Sequence, residues 1–523
     1  SYTYYSLLYW AKQDNAEKYK EYMRKCVDCK QDKLIIHGEL LEVDRDHLLP
    51  LDTNDKNDIV VRNVDKFVST TEMKALVVGS TYNTGKTKLL CYLNESFNRV
   101  QYISYRVSLS NNILGVIDGM EIYTENIDAP KLICQLDSLK KLKSIMYDML
   151  IFDEASSLMA HYNASTLRDP ADIYQVMMDL INNAKKIIFL DADIDNRIMY
   201  LVKDLNTMTI LNTKKKDKRH YRFRRNEKDF IKLIDKDLEN KHNIVIVVMS
   251  ESKANAYYEA YKNKYNTMKY TSKTGDMDKR NLSKVEEIWN KVQLLIYTST
   301  IEAGVSFNIP HFHKQYVIIS SHSTCQRGLM QMMHRVRQFS CSVVECLCYK
   351  IPLKETTHSD YTYDEMLKFY NTMSNAYERV EHDDGTVERV EKTQYTKYDM
   401  LKLYNMREML NKNDDCFMPI LLKALEDKGH SYEIVEDKKC KKKEELNCDM
   451  KEYLLNAREI TEDEYNMKLK RQREMILTEN EKWEMKKYEY EDIFEVQMDN
   501  METITKFYGK MNMVYNAGLL LDI

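Results

Sequence analysis

Two short stretches carry residue types whose spacing could do chemistry: Ser80-Thr81-Tyr82-Asn83-Thr84-Gly85-Lys86-Thr87 and Asp153-Glu154-Ala155-Ser156. The first reads as a loop that cradles phosphate. Backbone N–H groups at a helix N-terminus point at the phosphates, and the helix dipole favours negative charge there. Lys86 is placed to reach the β and γ phosphates, and the Thr87 hydroxyl to ligate Mg²⁺. Ser80 stands where the first glycine is usual, with Gly79 one step early. Asn83 stands at a mid-loop position where glycine is common, and Asn tolerates the left-handed backbone better than other residues with a Cβ. In the second stretch an acidic pair ends an apolar run. Asp153 is expected to hold the metal and Glu154 to orient or deprotonate the attacking water. Together the two stretches predict hydrolysis of a nucleoside triphosphate.

The elements that must position these residues are legible around them. Ala75-Leu76-Val77-Val78 reads as a buried strand leading into the loop, and Lys88-Leu89-Leu90-Cys91-Tyr92-Leu93 as the first turns of a helix. Further strands are expected at Val100–Ser104, Lys131–Gln135, Met149–Phe152 and Ile187–Leu190. Strands alternating with amphipathic segments predict a parallel sheet wrapped by helices. A second such series follows, with strands at Ile244–Met249, Leu294–Thr298, Tyr316–Ser320 and Val343–Tyr349. Past about residue 355 the chain reads as helical and highly charged. Capping boxes are expected at Thr362–Glu365, Thr461–Glu464 and Thr478–Glu481, and a hairpin about Asp384-Gly385. The expected organisation is a helical N-terminal segment or linker over 1–65, a first α/β domain over 66–213, a second over 214–354 and a helical, charged accessory domain over 355–523.

Size and composition bound the rest. With 523 residues, about three domains are expected, and the 43% apolar fraction is ample for packed cores. The net charge of −4 supplies no global positive field, so binding to nucleic acid must come from local patches. The 11 cysteines are scattered. Cys26-Val27-Asp28-Cys29 is the one C-x-x-C and has no second pair at zinc-ribbon spacing; it could hold zinc, but ordinary reduced thiols on a helix fit better, and an intracellular, reducing compartment is expected. No signal peptide is visible, no apolar run is long enough to span a bilayer, and no membrane partner is expected. The chain opens on Ser1, which suggests a processed or longer polypeptide.

The second α/β series lacks a phosphate loop, so it is expected to supply the other wall of the nucleotide cleft. Gln331-Met332-Met333-His334-Arg335-Val336-Arg337-Gln338 lies late in it. Arg335 and Arg337 are candidate arginine fingers and Gln331 a candidate γ-phosphate sensor; a solvated helix face would show the same pattern. Thr298-Ser299-Thr300-Ile301-Glu302-Ala303-Gly304 follows a strand. Its hydroxyls and Gly304 could touch both the cleft and a nucleic-acid backbone, or simply form a turn. The basic stretch 214–225, with Tyr221 and Phe223 interleaved, reads either as a nucleic-acid groove in which rings stack on bases or as a solvated linker.

Taken in order, these blocks resemble the superfamily 2 helicases, and most closely the herpesvirus-type replication origin-binding proteins, which also occur in primase–helicase polypeptides of large DNA viruses. Ser80 to Thr87 is similar to that family's Ser-x-x-Gly-Thr-Gly-Lys-Thr loop, and Tyr102 to Leu109 to its motif Ia. Ile133 to Leu139 is similar to its Gln-x-x-Ser-Leu block and Asp153 to Ser156 to its DEAx box. Phe189-Leu190-Asp191-Ala192-Asp193 resembles its form of motif III, Thr300 to Phe307 motif V and Gln331 to Gln338 motif VI. Departures are Asn83 in place of glycine, His334 in place of a common glycine, and arginines two residues apart rather than three, which favours Arg335 as the finger.

The resemblance implies two tandem RecA-like domains with a mainly helical C-terminal domain. It implies ATP and Mg²⁺ between the domains, held by Ser80, Asn83, Thr84, Gly85, Lys86, Thr87, Asp153 and Gly304. It also implies strand contacts from Arg106, Ser108, Gln135, Ser138, Thr298 and Thr300, with coupling through Asp191 and Asp193. An ATP-dependent DNA helicase of viral replication is then expected, moving 3′ to 5′ on single-stranded or forked DNA, in the host nucleus or at a cytoplasmic viral replication site. The stretch Leu7 to Lys12 is similar to the end of a helical segment that follows viral primase domains, so a primase upstream or as a partner is an expectation. An RNA helicase, a duplex translocase that does not unwind, and an ATP-driven origin-binding or assembly switch are the alternatives. The oligomeric state is not legible.

Overall fold

The computed structural model describes residues 34–510 apart from 51, 54, 143–145, 165–166, 216–217, 303, 321–322, 350, 352–376, 382–386, 392–395, 413, 436–445, 447–448, 474–475 and 509. Two parallel sheets, flanked by helices, dominate it. The first contains β1 (Glu39–Val43), β2 (Ala75–Ser80), β3 (Val100–Ser104), β4 (Glu121–Ile122), β5 (Lys131–Gln135), β6 (Met149–Asp153), β7 (Lys186–Asp191) and β8 (Thr207–Asn212). Their order across the sheet is β1-β8-β2-β7-β6-β3-β5-β4. The central strands are apolar without alternation, as a sheet covered on both faces requires: Leu76 to Val78, Met149 to Phe152 and Ile187 to Leu190 are wholly buried.

The second sheet contains β9 (His220–Arg224), β10 (Ile244–Val248), β11 (Thr267–Tyr270), β12 (Leu294–Tyr297), β13 (Lys314–Ile319), β14 (Val343–Cys348) and β17 (Ser431–Ile434). Its order is β11-β12-β10-β13-β14-β9-β17, again all parallel. The expected hairpin is present as β15 (Tyr377–Glu381) paired antiparallel with β16 (Val387–Glu391); its turn lies outside the described residues.

Three expectations are corrected. The segment 1–65 was expected to be helical, yet β1 is an edge strand of the first sheet, paired with β8. The following helix, Ile59–Ser69, is capped by the Asp58 carboxylate and buries Val60, Val61, Val64 and Phe67 in the first core. The stretch Leu7 to Lys12 and the Cys26/Cys29 pair lie outside the described residues. The basic stretch 214–225 is not an open groove. Its residues His220–Arg224 form β9, with Tyr221 and Phe223 wholly buried, so these rings are in the core and cannot stack on bases. Arg219 donates to Gln315 Oε1 (3.1 Å) and the Met333 carbonyl (2.9 Å), while Arg224 pairs with buried Glu345.

The region past 355 is not wholly separate either. The helix Asp414–Asp427 inserts Phe417, Met418, Leu421, Leu422 and Leu425 into the second core, and β17 then covers the β9 edge. Gly429 makes this turn with φ +83°, where the His430 N–H closes on the Leu425 carbonyl (2.9 Å), a helix end that favours glycine. Farther on, the helices Met450–Asn456, Glu479–Phe494 and Met501–Phe507 enclose Leu454, Trp483, Tyr490 and Ile504. The Thr478–Glu481 and Thr461–Glu464 boxes form as expected; Thr362–Glu365 lies outside the described residues. This group docks on the second domain through the Leu477 N–H to Asp276 (2.9 Å) and Lys269 to Glu479 (3.0 Å). Among the described residues, no helix is long and apolar enough to cross a membrane.

Candidate active site

β2 delivers the phosphate loop to the C-terminal edge of the first sheet, between the ends of β7 and β8. Parallel sheets place their ligand crevices at that edge. Asn83 (φ +60°) and Gly85 (φ +80°) are both left-handed, and this backbone turn launches the helix Lys86–Asn94. The tolerance expected of Asn83 is thus used. Ser80 and Thr84 depart from the expectation that they face a ligand. Ser80 Oγ donates to Thr84 Oγ1 (2.6 Å), Thr84 Oγ1 donates to the Thr81 carbonyl (2.7 Å), and Asn212 Nδ2 donates to Ser80 Oγ (3.1 Å). Both side chains are buried, so they brace the loop from within.

Lys86 lies across its own loop, donating to the carbonyls of Ser80 (2.6 Å) and Thr81 (3.2 Å). Burial pushes its pKa below the ordinary lysine value, and the Glu154 and Asp153 carboxylates act against that shift. Thr87 sits half-exposed in the first helical turn.

β6 ends on Asp153, which accepts from the Tyr102 hydroxyl (3.0 Å) and from the Glu154 N–H (3.0 Å). Glu154 then takes a left-handed backbone (φ +49°) to cap the helix Ala155–Ala160. That turn aims its carboxylate out of the sheet and across the cleft. Burial raises the pKa of both acids; Lys86 opposes the rise at Asp153 and Arg335 opposes it at Glu154.

The second domain meets these carboxylates directly. The helix Gln326–Met333 carries Gln331, whose Nε2 donates to Glu154 Oε2 (2.8 Å), and Arg335 Nη2 lies 3.6 Å from Glu154 Oε1. Arg335 Nη1 also donates to the Val305 carbonyl (3.4 Å), which ties motif VI to the turn at Gly304 (φ +76°). Buried Arg335 Nε and Nη2 have no hydrogen-bond partner among the described groups. Unpaired buried donors are costly, and an anionic ligand would satisfy them. Arg337 Nε instead donates to Ser306 Oγ (2.7 Å) within the second domain, and its charge opposes that of Lys86. The donor set therefore fits a Mg²⁺–triphosphate: carboxylate and hydroxyl at Asp153 and Thr87, cations at Lys86 and Arg335.

Asp191, at the end of β7, accepts from the Ser156 N–H (2.8 Å) and the Asp193 N–H (2.9 Å), and lies 3.7 Å from Arg327. Burial, reinforced by the Glu154 charge, raises its pKa to about 7. Burial acts in the same direction on Asp193, but the ion pair with Lys428 prevails and holds it low. Motif III thus touches the acidic pair on one side and the second domain and the C-terminal region on the other.

The expected strand contacts fall partly together. Arg106 donates across the domain boundary to the Ser299 carbonyl (2.6 Å) and Glu302 (3.0 Å), beside Thr298 and Thr300. Gln135 is in register with Ser104, so it shares this edge with Arg106. Ser138 is spent on Tyr123 (2.9 Å), and the Ser108 side chain lies outside the described residues. Arg106, His161, Ser299, Thr324 and Lys412 line an inter-domain cavity of about 430 Å³.

Several residues were missed from sequence. Tyr82 stacks on His334 at 4.6 Å, joining the phosphate loop to motif VI. Glu408, on the helix Lys397–Asn411, pairs with Arg197 of the first domain (2.6 Å) and Arg327 of the second (3.3 Å). Tyr82 could have been found from its place inside the loop. Nothing in the local sequence around Glu408 marks it, because its partners are 81 and 211 residues away.

Comparison with known proteins agrees with this geometry. The family described as "Origin of replication binding protein" matches residues 112–212. A protein of Acanthamoeba polyphaga mimivirus, provisionally named a replication origin-binding protein, is 28% identical over 85% of this chain and 60% of its own length. A provisionally named helicase/primase complex protein of African swine fever virus is 28% identical over 53% of this chain and 28% of its own length. The replication origin-binding protein of varicella-zoster virus is 23% identical over 50% of this chain and 36% of its own length. In each case the chain spans less than two thirds of the relative. With the two RecA-like sheets and the ordered motifs, these matches link the chain to the superfamily 2 helicases of the herpesvirus-type origin-binding and helicase–primase group of large DNA viruses.

Proposed function

We propose that this chain is an ATP-driven motor on nucleic acid, and that its track is single-stranded or forked DNA in viral replication. The observation that carries the reading is the meeting of Gln331 and Arg335 from one sheet with Glu154 from the other, with arginine N–H groups that make no hydrogen bond buried between them. An ATPase whose catalytic groups come from two domains turns over only when they close, so closure and opening are tied to the nucleotide.

In this scheme Lys86 leaves the carbonyls of its own loop to meet the phosphates. Thr87 and Asp153 would hold Mg²⁺, which when bound would neutralise phosphate charge. Glu154 takes the proton of the attacking water, and Arg335 stabilises charge on the transferring group, a role worth about 10³ to 10⁵ in rate. Asp191 and Asp193 pass the state of the cleft to Arg327 and Lys428. Arg106, Gln135, Thr298 and Thr300 grip the strand, mostly through phosphates and sugars, hence without regard to sequence. A primase is the expected neighbour, in keeping with the name of the African swine fever virus relative, and a viral replication site inside the host cell the expected location.

The test is ATP turnover with single-stranded DNA, RNA and duplex as stimulants, followed by strand separation on 3′- and 5′-tailed forks, comparing wild type with Lys86→Ala. Stimulation by single-stranded DNA and separation of the 3′-tailed fork, both lost in Lys86→Ala, are expected. Stronger stimulation by RNA would refute the replication reading. Turnover without separation on either fork would leave a translocase or switch.

A further inference from the structure

At the edge of the second sheet opposite the cleft lies a cluster that no step above uses. His242 ends the turn before β10, and His313 immediately precedes β13; the two strands are neighbours, with Ile244 in register with Lys314. Asp237, on the helix Glu227–Glu239, faces both. One ligand atom from each of Asp237, His242 and His313 lies within 4.8 Å of the others. We propose that these three residues form a site for a divalent transition-metal ion of the zinc class.

The chemistry of the donors fits. Two imidazoles and a carboxylate suit zinc and its neighbours, and three protein ligands leave a fourth position for water or a further ligand. His242 Nδ1 and Asp237 Oδ1 are 3.1 Å apart. Two ligands sharing a tetrahedral ion at about 2.0–2.1 Å would sit about 3.3 Å apart, so this edge of the site is already built. The imidazoles of His242 and His313 are stacked with centroids 3.8 Å apart and planes at 28°. To share a tetrahedral ion the centroids would fan outward from 3.8 Å to about 5.2 Å.

The surroundings orient the ligands as metal sites require. The Tyr316 hydroxyl donates to Asp237 Oδ2 (2.5 Å), fixing the carboxylate and leaving Oδ1 toward the histidines. The main chain joins the two loops, since the His313 N–H donates to the Asn243 carbonyl (2.7 Å) and the His242 N–H to the Asp237 carbonyl (2.9 Å). The neighbouring Lys314 ammonium is turned to Glu345 (3.1 Å). The His242 side chain is 37% exposed and that of Asp237 14%, so an ion can enter and still be partly enclosed. Bound there, it would staple the turn before β10 to the entry of β13, remote from ATP.

The full chain, stripped with chelator, is titrated with Zn²⁺ and with Co²⁺ as the spectroscopic probe. Wild type is expected to take up one equivalent more than His313→Ala or Asp237→Asn. The Co²⁺ difference spectrum should show d–d bands without a thiolate charge-transfer band, which separates this site from Cys26 and Cys29. Zn²⁺ should raise the Tm of wild type and not of the variants, while all share one Tm in chelator. Should His313→Ala fail to match that Tm, His242→Gln makes the same comparison. Equal uptake by wild type and variants, or a difference spectrum carrying the thiolate band, overturns the proposal.

Discussion

Glu408→Gln tests whether the C-terminal region closes the cleft. Glu408 sits between Arg197 (2.6 Å) and Arg327 (3.3 Å), and both guanidinium groups are nearly buried, at 4% and 14% exposure. Removing one member of a buried ion pair costs about 3–5 kcal/mol. The lower end applies here, because Asp195 stays on Arg197 (2.6 Å) and Asp191 lies 3.7 Å from Arg327. Glutamine keeps the shape and one acceptor, which brings the loss to about 2 kcal/mol. Arg327 lies in the first turn of the helix that carries Gln331 to Glu154, so this loss falls on the closed arrangement of the two domains. A weakening of 2 kcal/mol is about 30-fold in rate. The assay is steady-state ATP turnover with saturating single-stranded DNA. We expect kcat to fall about 30-fold with KM for ATP changed little, since Glu408 is not among the groups that hold the phosphates. Glu408 is held far below the usual carboxylate range, with burial outweighed by Arg197 and Arg327. Its contribution is therefore present above the ordinary carboxylate pKa and is lost only as pH falls toward the lower folded value, so the ratio of wild type to variant should stay flat from about pH 6 to about pH 9. Unchanged kcat alongside a lowered Tm would reduce Glu408 to a structural residue and refute the coupling.

Three further outcomes follow from the site. Arg335→Ala should lower kcat by about 10³ or more, whereas Arg337→Ala, which breaks a bond to Ser306 within its own domain, should cost far less; equal losses would refute this division. Glu302→Gln should release Arg106 to nucleic acid, tightening single-strand binding and steepening its log–log salt dependence by about 0.7; weaker binding would show instead that Glu302 positions Arg106. Asp191 has its folded pKa raised to about 7 by burial and the Glu154 charge, so the folded state holds an extra proton between the ordinary 3.8 and 7. Stability from this group accordingly falls as pH rises through that window. Turnover should inflect near pH 7, and Asp191→Asn should remove that inflection; a retained one assigns it to another group.

What the sequence made legible was whatever depends on neighbours in the chain. Val77, Ile151 and Ile188 lie in unbroken apolar runs, so β2, β6 and β7 could be read directly, and the loop and acidic pair follow from the ends of those runs. β1 and β17 could not be read in this way. Each is a half-exposed edge strand, Glu-Leu-Leu-Glu-Val and Ser-Tyr-Glu-Ile, whose extended form comes from pairing with β8 and β9 far along the chain. The basic stretch misled for a related reason. Arg219 and Arg224 look like a surface charge run until Gln315 and Glu345, about a hundred residues on, neutralise or hydrogen-bond them inside the fold.

The same distinction runs through the site. Ser80 and Thr84 were recognisable as loop residues, but only the fold shows them turned inward to hold one another while Lys86 covers the Ser80 and Thr81 carbonyls. Glu154 was recognisable as a base, but its partner Gln331 is 177 residues away. The cleft is therefore a product of docking between two sheets, and its stability is set at the docking surface as much as at the phosphate loop. Along that surface Tyr82 on His334, Arg106 on Glu302 and Glu408 between two arginines each join groups from different parts of the chain. A motor needs such contacts to be strong enough to close and weak enough to part. Charged pairs with alternative partners on the same side, as Arg197 has in Asp195, meet that need better than an apolar seam would. When the domains part, Glu408 stays on the first domain with Arg197, so losing Arg327 does not leave it buried without a partner.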